Sequence, residues 1–106
     1  MIKHLINEKP IFVYPSLAAK IGLKESIVLS TIKNEIETQK ILFDGRFFAR
    51  ITASDFLFLL PFLGSSSLKN TLESLENKGF IRKEIAIENP TYRAFYYSLT
   101  TDVLGD

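Results

Sequence analysis

A capped apolar segment followed by a Pro/Gly break constrains this chain most, because it predicts a helix that must end early. Thr52 and Asp55 are spaced as a capping-box variant, which begins a helix by satisfying open backbone amides. Apolar residues then recur at three- and four-residue steps up to position 63. Pro61 cannot continue the backbone ladder, so a helix of about two or three turns results.

A second helix is predicted after Gly64, which allows the chain to reorient. The hydroxyls of Ser65, Ser66 and Ser67 are suited to cap this helix. Its inward face is formed by Leu68, Leu72 and Leu75. Gly79 then ends the helix as the left-handed residue at its C-terminal cap.

From position 80 the hydrophobic period changes to two, as expected for strands. Ile81 and Ile85 alternate with charged residues, and residues 92–99 form a partner strand after Asn89-Pro90. Residues 88–91 are then the tip of a β-hairpin. Two helices followed by such a hairpin predict a winged helix-turn-helix, an α+β fold with about four helices, a small antiparallel sheet and a β-hairpin wing.

The first half of the chain is predicted to supply the scaffold. Residues 11–14 are expected to form a short strand, and Pro15-Ser16 is expected to cap a short helix over residues 17–21. A longer amphipathic helix is predicted over residues 24–40. Asp44-Gly45 separates two apolar triplets, which indicates a two-residue hairpin whose strands pair with the wing.

Composition limits the possible functions. The chain of 106 residues suits a single domain over residues 1–100, with residues 101–106 beginning a linker to a further region. It has no Cys and one His, and its 5 Gly occur singly, so we expect no enzymatic activity, no cofactor and no metal site. The absence of an 18-residue apolar run and of Cys predicts a cytoplasmic protein that does not enter membranes.

Three motifs carry a resemblance to a known group. They are the run of residues 9–29 containing Pro15-Ser16-Leu17-Ala18 and Ile21-Gly22-Leu23, the turn Leu60-Pro61-Phe62-Leu63, and the helix end Leu75-Glu76-Asn77-Lys78-Gly79-Phe80-Ile81. Together they resemble the DnaD-like and DnaT-like primosomal proteins, which are replisome organisers of phages and bacteria. Lys24 stands where that group usually has Asn.

The resemblance implies a module for DNA replication initiation within a primosome. In that group such a domain is typically N-terminal and is joined to a part that binds single-stranded DNA or the helicase machinery. The resemblance thus implies DNA binding, self-association or both, with a replicative helicase or its loader as a further partner.

Candidate DNA contacts are the outward polar positions of the second helix and the basic positions of the wing. They are Ser65, Ser66, Ser67, Lys69, Asn70, Ser74 and Asn77 on the helix, and Arg82, Lys83 and Arg93 on the wing. Glu73 opposes DNA in the middle of this helix, and residues 53–79 carry two positive and three negative charges. We therefore expect weak DNA binding by this domain alone, and a solvated face of a structural winged helix is the alternative.

Apolar residues near the N-terminus predict a homo-oligomer interface. They are Ile2, Leu5, Ile6, Ile11 and Phe12. On this hypothesis, deletion of residues 1–9 lowers the oligomeric state. Two alternative functions remain open, namely a winged helix that docks proteins without contacting DNA, and a transcriptional regulator.

Overall fold

The computed structural model describes residues 13–85 and 94–100, which form four helices and four strands. In chain order these are α1 (Pro15–Ile21), α2 (Leu23–Gln39), β1 (Ile41–Phe43), β2 (Arg46–Thr52), α3 (Ala53–Leu59), α4 (Ser65–Asn77), β3 (Ile81–Ile85) and β4 (Ala94–Leu99). The predicted α+β class is confirmed, and the order of these elements is compatible with a winged helix.

One antiparallel sheet joins the two halves of the chain. Its strand order is β1-β2-β4-β3, so β2 pairs with β4 of the wing and β1 lies at one end. Ala49 lies opposite Tyr97, and Lys83 of β3 lies on the other side of Tyr97. The predicted pairing between the first hairpin and the wing is therefore confirmed.

The turn of the first hairpin follows from its two residues. Phe43 pairs with Arg46, which leaves Asp44 and Gly45 as a two-residue connection with φ angles of 54° and 73°. Positive φ at both central positions is the geometry that favours Asp-Gly in tight hairpins. The predicted turn is confirmed.

The core lies between α2, the sheet and the two helices that follow β2. Its fully buried side chains include Leu29 and Ile32 of α2, Ile51 of β2 and Phe56 of α3. Phe56 meets Tyr97 edge to face, with ring centroids 5.5 Å apart. This packing holds α3 and α4 against one face of the sheet.

Local signals set the start of α3 and the end of α4 as predicted. The Asp55 amide donates to Thr52 Oγ1, and the Thr52 amide donates to Asp55 Oδ2, both at 3.0 Å. At the end of α4 the Gly79 amide donates to the Glu76 carbonyl, and Gly79 has a φ of 79°. Both ends therefore satisfy backbone groups that a helix leaves open.

The start of α4 differs from the sequence prediction. Gly64 is the N-cap, no side chain caps the helix, and Ser65 is already its first residue. The serine hydroxyls are therefore not caps, because the extended backbone suited to an N-cap falls on Gly64.

The buried face of α4 is also rotated slightly from the predicted one. Thr71 is buried with Leu68 and Leu75, whereas Leu72 is only partly buried against the core. Positions 71 and 72 lie symmetrically on either side of the line through 68 and 75, so helical periodicity alone does not choose between them. Burial of Thr71 is tolerated because its hydroxyl donates to the Ser67 carbonyl at 2.7 Å.

The strand predicted over residues 11–14 is wrong at residues 13 and 14. Val13 and Tyr14 lie in neither a strand nor a helix, and residues 11 and 12 lie outside the described ranges. Tyr14 is the N-cap of α1, and its carbonyl accepts from the Ala18 amide at 2.9 Å. The helix therefore begins at Pro15, where the preset φ of proline favours a first helical residue, and Ser16 does not cap it.

Two further predictions concern residues outside the described ranges. The wing tip at 88–91 and the beginning of its second strand at 92–93 lie outside the described residues. So do residues 101–106. Among the helices of the described ranges, none has the length and apolar character needed to cross a membrane.

Candidate nucleic-acid interface

One side of α4 presents polar side chains to solvent. Five of the candidate DNA contacts on this helix are exposed to solvent, namely Ser65, Ser66, Lys69, Asn70 and Asn77. Ser67 and Ser74 are partly buried at the flanks. This exposed side also carries Glu73, so its polar groups include one carboxylate at the centre.

The N-terminus of α4 has open backbone donors. The first amide with a main-chain partner at this end is that of Leu68, which donates to the Gly64 carbonyl at 2.9 Å. Helix geometry leaves the amides of residues 65–67 without a carbonyl partner inside the helix, and no side chain caps them. The positive end of the helix dipole coincides with these donors, so the local field favours an anion.

Lys24, from the start of α2, adds a positive charge at this helix end. Its Nζ lies 3.4 Å from Ser67 Oγ. The sequence predictions did not include Lys24 among the DNA contacts, because its neighbour Ser67 is 43 positions away along the chain. The only sequence feature noted at this position was that Lys24 stands where the DnaD-like and DnaT-like proteins usually have Asn.

Lys69 is the second cation of this surface. It is exposed one turn after the start of α4, and it makes no ion pair with the described residues, including Glu73 four positions later. Its ammonium is therefore available to a ligand. Lys24, Lys69 and the amides of residues 65–67 together form what we call the α4 anion surface.

The two basic residues in the described part of the wing, Arg82 and Lys83, each lie beside a carboxylate of the protein. Arg82 Nε lies 2.9 Å from Glu84 Oε1, and Lys83 Nζ lies 3.8 Å from Glu76 Oε1. Lys83 also lies over the ring of Phe95, 4.4 Å from its centroid. The third predicted wing contact, Arg93, lies outside the described residues. The described part of the wing thus has carboxylates beside both of its cations, which lowers its attraction for phosphate.

The carboxylate of Glu76 interacts with both Lys83 of the wing and the buried Tyr97 of the core. Burial raises the pKa of Tyr97 to about 12, and the negative charge of Glu76 adds to the increase. The carboxylate that pairs with Lys83 therefore also acts on a buried phenol of β4. Glu76 is part of the contact between α4 and the wing.

The predicted oligomer interface cannot be placed on the structure, because Ile2, Leu5, Ile6, Ile11 and Phe12 all lie outside the described residues. Among the described residues, other large apolar side chains are exposed. Leu42, Phe43 and Phe47 lie on the first hairpin, while Phe58 and Phe62 lie on and after α3. Exposed apolar surface is thus present at sites that the sequence predictions did not select.

Comparison with known proteins gives no match. No protein-family model, curated protein or solved structure matches this chain. The resemblance to primosomal replication proteins therefore remains a hypothesis that rests on the three sequence motifs.

Proposed function

We propose that this chain is a DNA-binding module of a DNA-replication initiation protein and that it approaches duplex DNA with the start of α4. The observation that carries the proposal is the α4 anion surface. There Lys24 lies beside a helix end whose first amides have no partner in the helix, and Lys69 is exposed one turn further along α4. Such an arrangement suits a backbone phosphate.

In this proposal, one phosphate accepts from the amides of residues 65–67, and the ammonium groups of Lys24 and Lys69 add electrostatic attraction. Asn70 and Asn77 then face the groove, where an amide side chain pairs well with adenine. Glu73 repels the phosphate backbone, and the wing cations must leave their carboxylate partners to contribute. Binding is therefore weak, and it depends strongly on salt.

The place in replication initiation rests on the sequence motifs that resemble primosomal proteins. In that setting the module acts in the cytoplasm and self-associates. It also meets a replicative helicase or a helicase loader. Weak DNA binding by a single domain is compatible with this role, because several copies on one DNA raise the effective concentration of each contact.

The experiment is a titration of labelled duplex and single-stranded DNA by fluorescence anisotropy at two salt concentrations. Glu73→Lys removes a repulsion and adds a phosphate contact, so affinity should rise and the salt slope should steepen by about one to two units. Lys69→Glu should have the opposite effect. If neither substitution changes binding, α4 does not face DNA.

A matched control is Lys78→Glu, which makes the same charge change at the other end of α4. Positions 69 and 78 are about 13 Å apart along the helix, which exceeds the Debye length of about 8 Å at physiological salt. Lys78→Glu should therefore weaken DNA binding much less than Lys69→Glu. Thermal unfolding of each variant shows whether the fold is retained.

The second candidate function is a protein-docking module that does not contact DNA. The pairing of Arg82 with Glu84 and of Lys83 with Glu76 favours it, because it leaves the described part of the wing nearly neutral. Unchanged DNA binding in both Lys69→Glu and Glu73→Lys would select this second function.

A further inference from the structure

Strand β1 has an open edge among the described residues. It is the end strand of the sheet, and it pairs only with β2. The Arg50 amide donates to Gln39 Oε1 at 2.8 Å, so Arg50 directs its backbone groups to the side of β2 on which β1 lies. By alternation Phe48 and Arg46 do the same, and they bond to Ile41 and Phe43. Leu42 therefore directs its amide and carbonyl away from β2, to the open edge.

The side chains beside this edge are apolar and exposed. Leu42 and Phe47 form a cross-strand pair on one face of the hairpin, where they are 65% and 51% exposed. Ala49 and Ile51, which follow on the same face of β2, are buried in the core. On the opposite face Phe43 is 65% exposed and meets the ring of buried Phe48 edge to face. Both faces of this strand edge therefore leave apolar surface in water.

The charges that flank β1 are self-complementary. Lys40 precedes the strand and Asp44 follows it, each two positions from Leu42. If two such strands pair antiparallel with Leu42 opposite Leu42, Lys40 of each copy lies at the same end of the strand pair as Asp44 of the other, just beyond the paired residues. Ile41 of each copy then faces Phe43 of the other, so apolar residues meet apolar residues at every position of the strand.

We propose that two copies of this chain pair antiparallel through β1, about a two-fold axis at Leu42, to form a continuous eight-stranded sheet. The amide of each Leu42 donates to the carbonyl of Leu42 in the other copy, which gives two backbone hydrogen bonds across the axis. On one face, Phe47, Leu42 and their two symmetry mates then form an unbroken apolar row across four strands. This interface is distinct from the α4 anion surface, and it does not require DNA.

The small size of this contact sets its strength. The contact has two backbone hydrogen bonds in total, and each copy contributes three exposed apolar side chains, Leu42, Phe43 and Phe47. Such a contact buries less than the roughly 1,200 Å² at the lower end of standard interfaces. We therefore expect a weak dimer, with a dissociation constant on the order of tens to hundreds of micromolar. Sedimentation equilibrium of the full chain without DNA, from about 10 µM to about 1 mM, covers this range.

Charge substitution at the axis is the decisive test, because a residue on a two-fold axis faces itself. Leu42→Lys and Leu42→Glu each place like charges opposite one another and remove apolar burial, so each alone should raise the dimer dissociation constant about tenfold or more. An equimolar mixture of the two variants places Lys opposite Glu. The mixture should therefore form a heterodimer that associates more tightly than either variant does with itself.

Phe58→Lys is the matched control, since Phe58 is also exposed and apolar but lies on α3 away from β1. It should associate as the unchanged chain does, and thermal unfolding of all variants should show the folded domain. The proposal is overturned if the unchanged chain is monomeric up to about 1 mM or if the mixture of variants does not associate. It is also overturned if deletion of residues 1–9 abolishes association while Leu42→Lys leaves it intact.

Discussion

The side chain of Gln39 holds both backbone polar groups of Arg50. The Arg50 amide donates to Gln39 Oε1 at 2.8 Å, and Gln39 Nε2 donates to the Arg50 carbonyl at 3.2 Å. Gln39 is the last residue of α2, and one residue, Lys40, separates it from β1. Its side-chain amide therefore adds one more hydrogen-bonded pair to the β1–β2 ladder, two positions before Ile41, and ties the end of the long helix to the sheet.

Gln39→Ala should destabilise the domain by about 1–3 kcal/mol, because it leaves two partly buried backbone groups of Arg50 without this partner. Urea unfolding measures the change. Thr38→Ala is the matched control, since the exposed Thr38 hydroxyl only donates to the Asn34 carbonyl within the same helix. Equal losses in both variants would show that the Gln39 contact contributes no net stability.

Leu75→Ala should cost about 2–5 kcal/mol of unfolding free energy, because Leu75 is fully buried and its removal leaves a cavity. Leu72→Ala should cost clearly less, since Leu72 is only partly buried against the core. Chemical denaturation of the two variants compares the sites directly. A larger loss at Leu72 would mean that α4 is rotated from the orientation described.

Tyr97 should make stability fall at high pH. Its pKa is raised from 10.0 to about 12 in the folded protein, so the unfolded chain loses this proton first. The stability gained from neutral Tyr97 is complete below pH 10 and is lost as the pH rises towards 12.

The measurement is the unfolding free energy at about pH 8 and about pH 11, compared with Tyr97→Phe. The Phe variant should lose less stability between the two pH values. Tyr14→Phe, at an exposed position, should behave like the unchanged chain. An identical pH dependence in Tyr97→Phe would exclude Tyr97 as the cause.

Lys24→Glu should weaken duplex binding and lower the salt slope by about one unit or more, because Lys24 lies beside the start of α4. Lys20→Glu makes the same change at an exposed position of α1 and is the control. Anisotropy titration at two salt concentrations distinguishes the two. Equal effects would indicate a response to net charge and not to a contact at the α4 anion surface.

The sequence by itself determined the features that depend on neighbouring residues. Thr52 and Asp55 are three positions apart, so the local sequence is sufficient to predict their reciprocal capping hydrogen bonds. Asp44-Gly45 and Gly79 require positive φ, which few residue types adopt readily, and each appears where predicted. These signals were sufficient to predict the order of helices and strands from α2 to β4.

Tertiary structure decided the features that join distant parts of the chain. Periodicity left Thr71 and Leu72 equivalent, and packing of α4 against the core buried Thr71. The approach of Lys24 to Ser67 spans 43 positions, and Lys83 meets Glu76 across an element boundary, so no local pattern contained either contact. The exposure of Leu42 and Phe47 has the same origin, because an apolar residue on a strand is buried only if another element covers that part of the sheet.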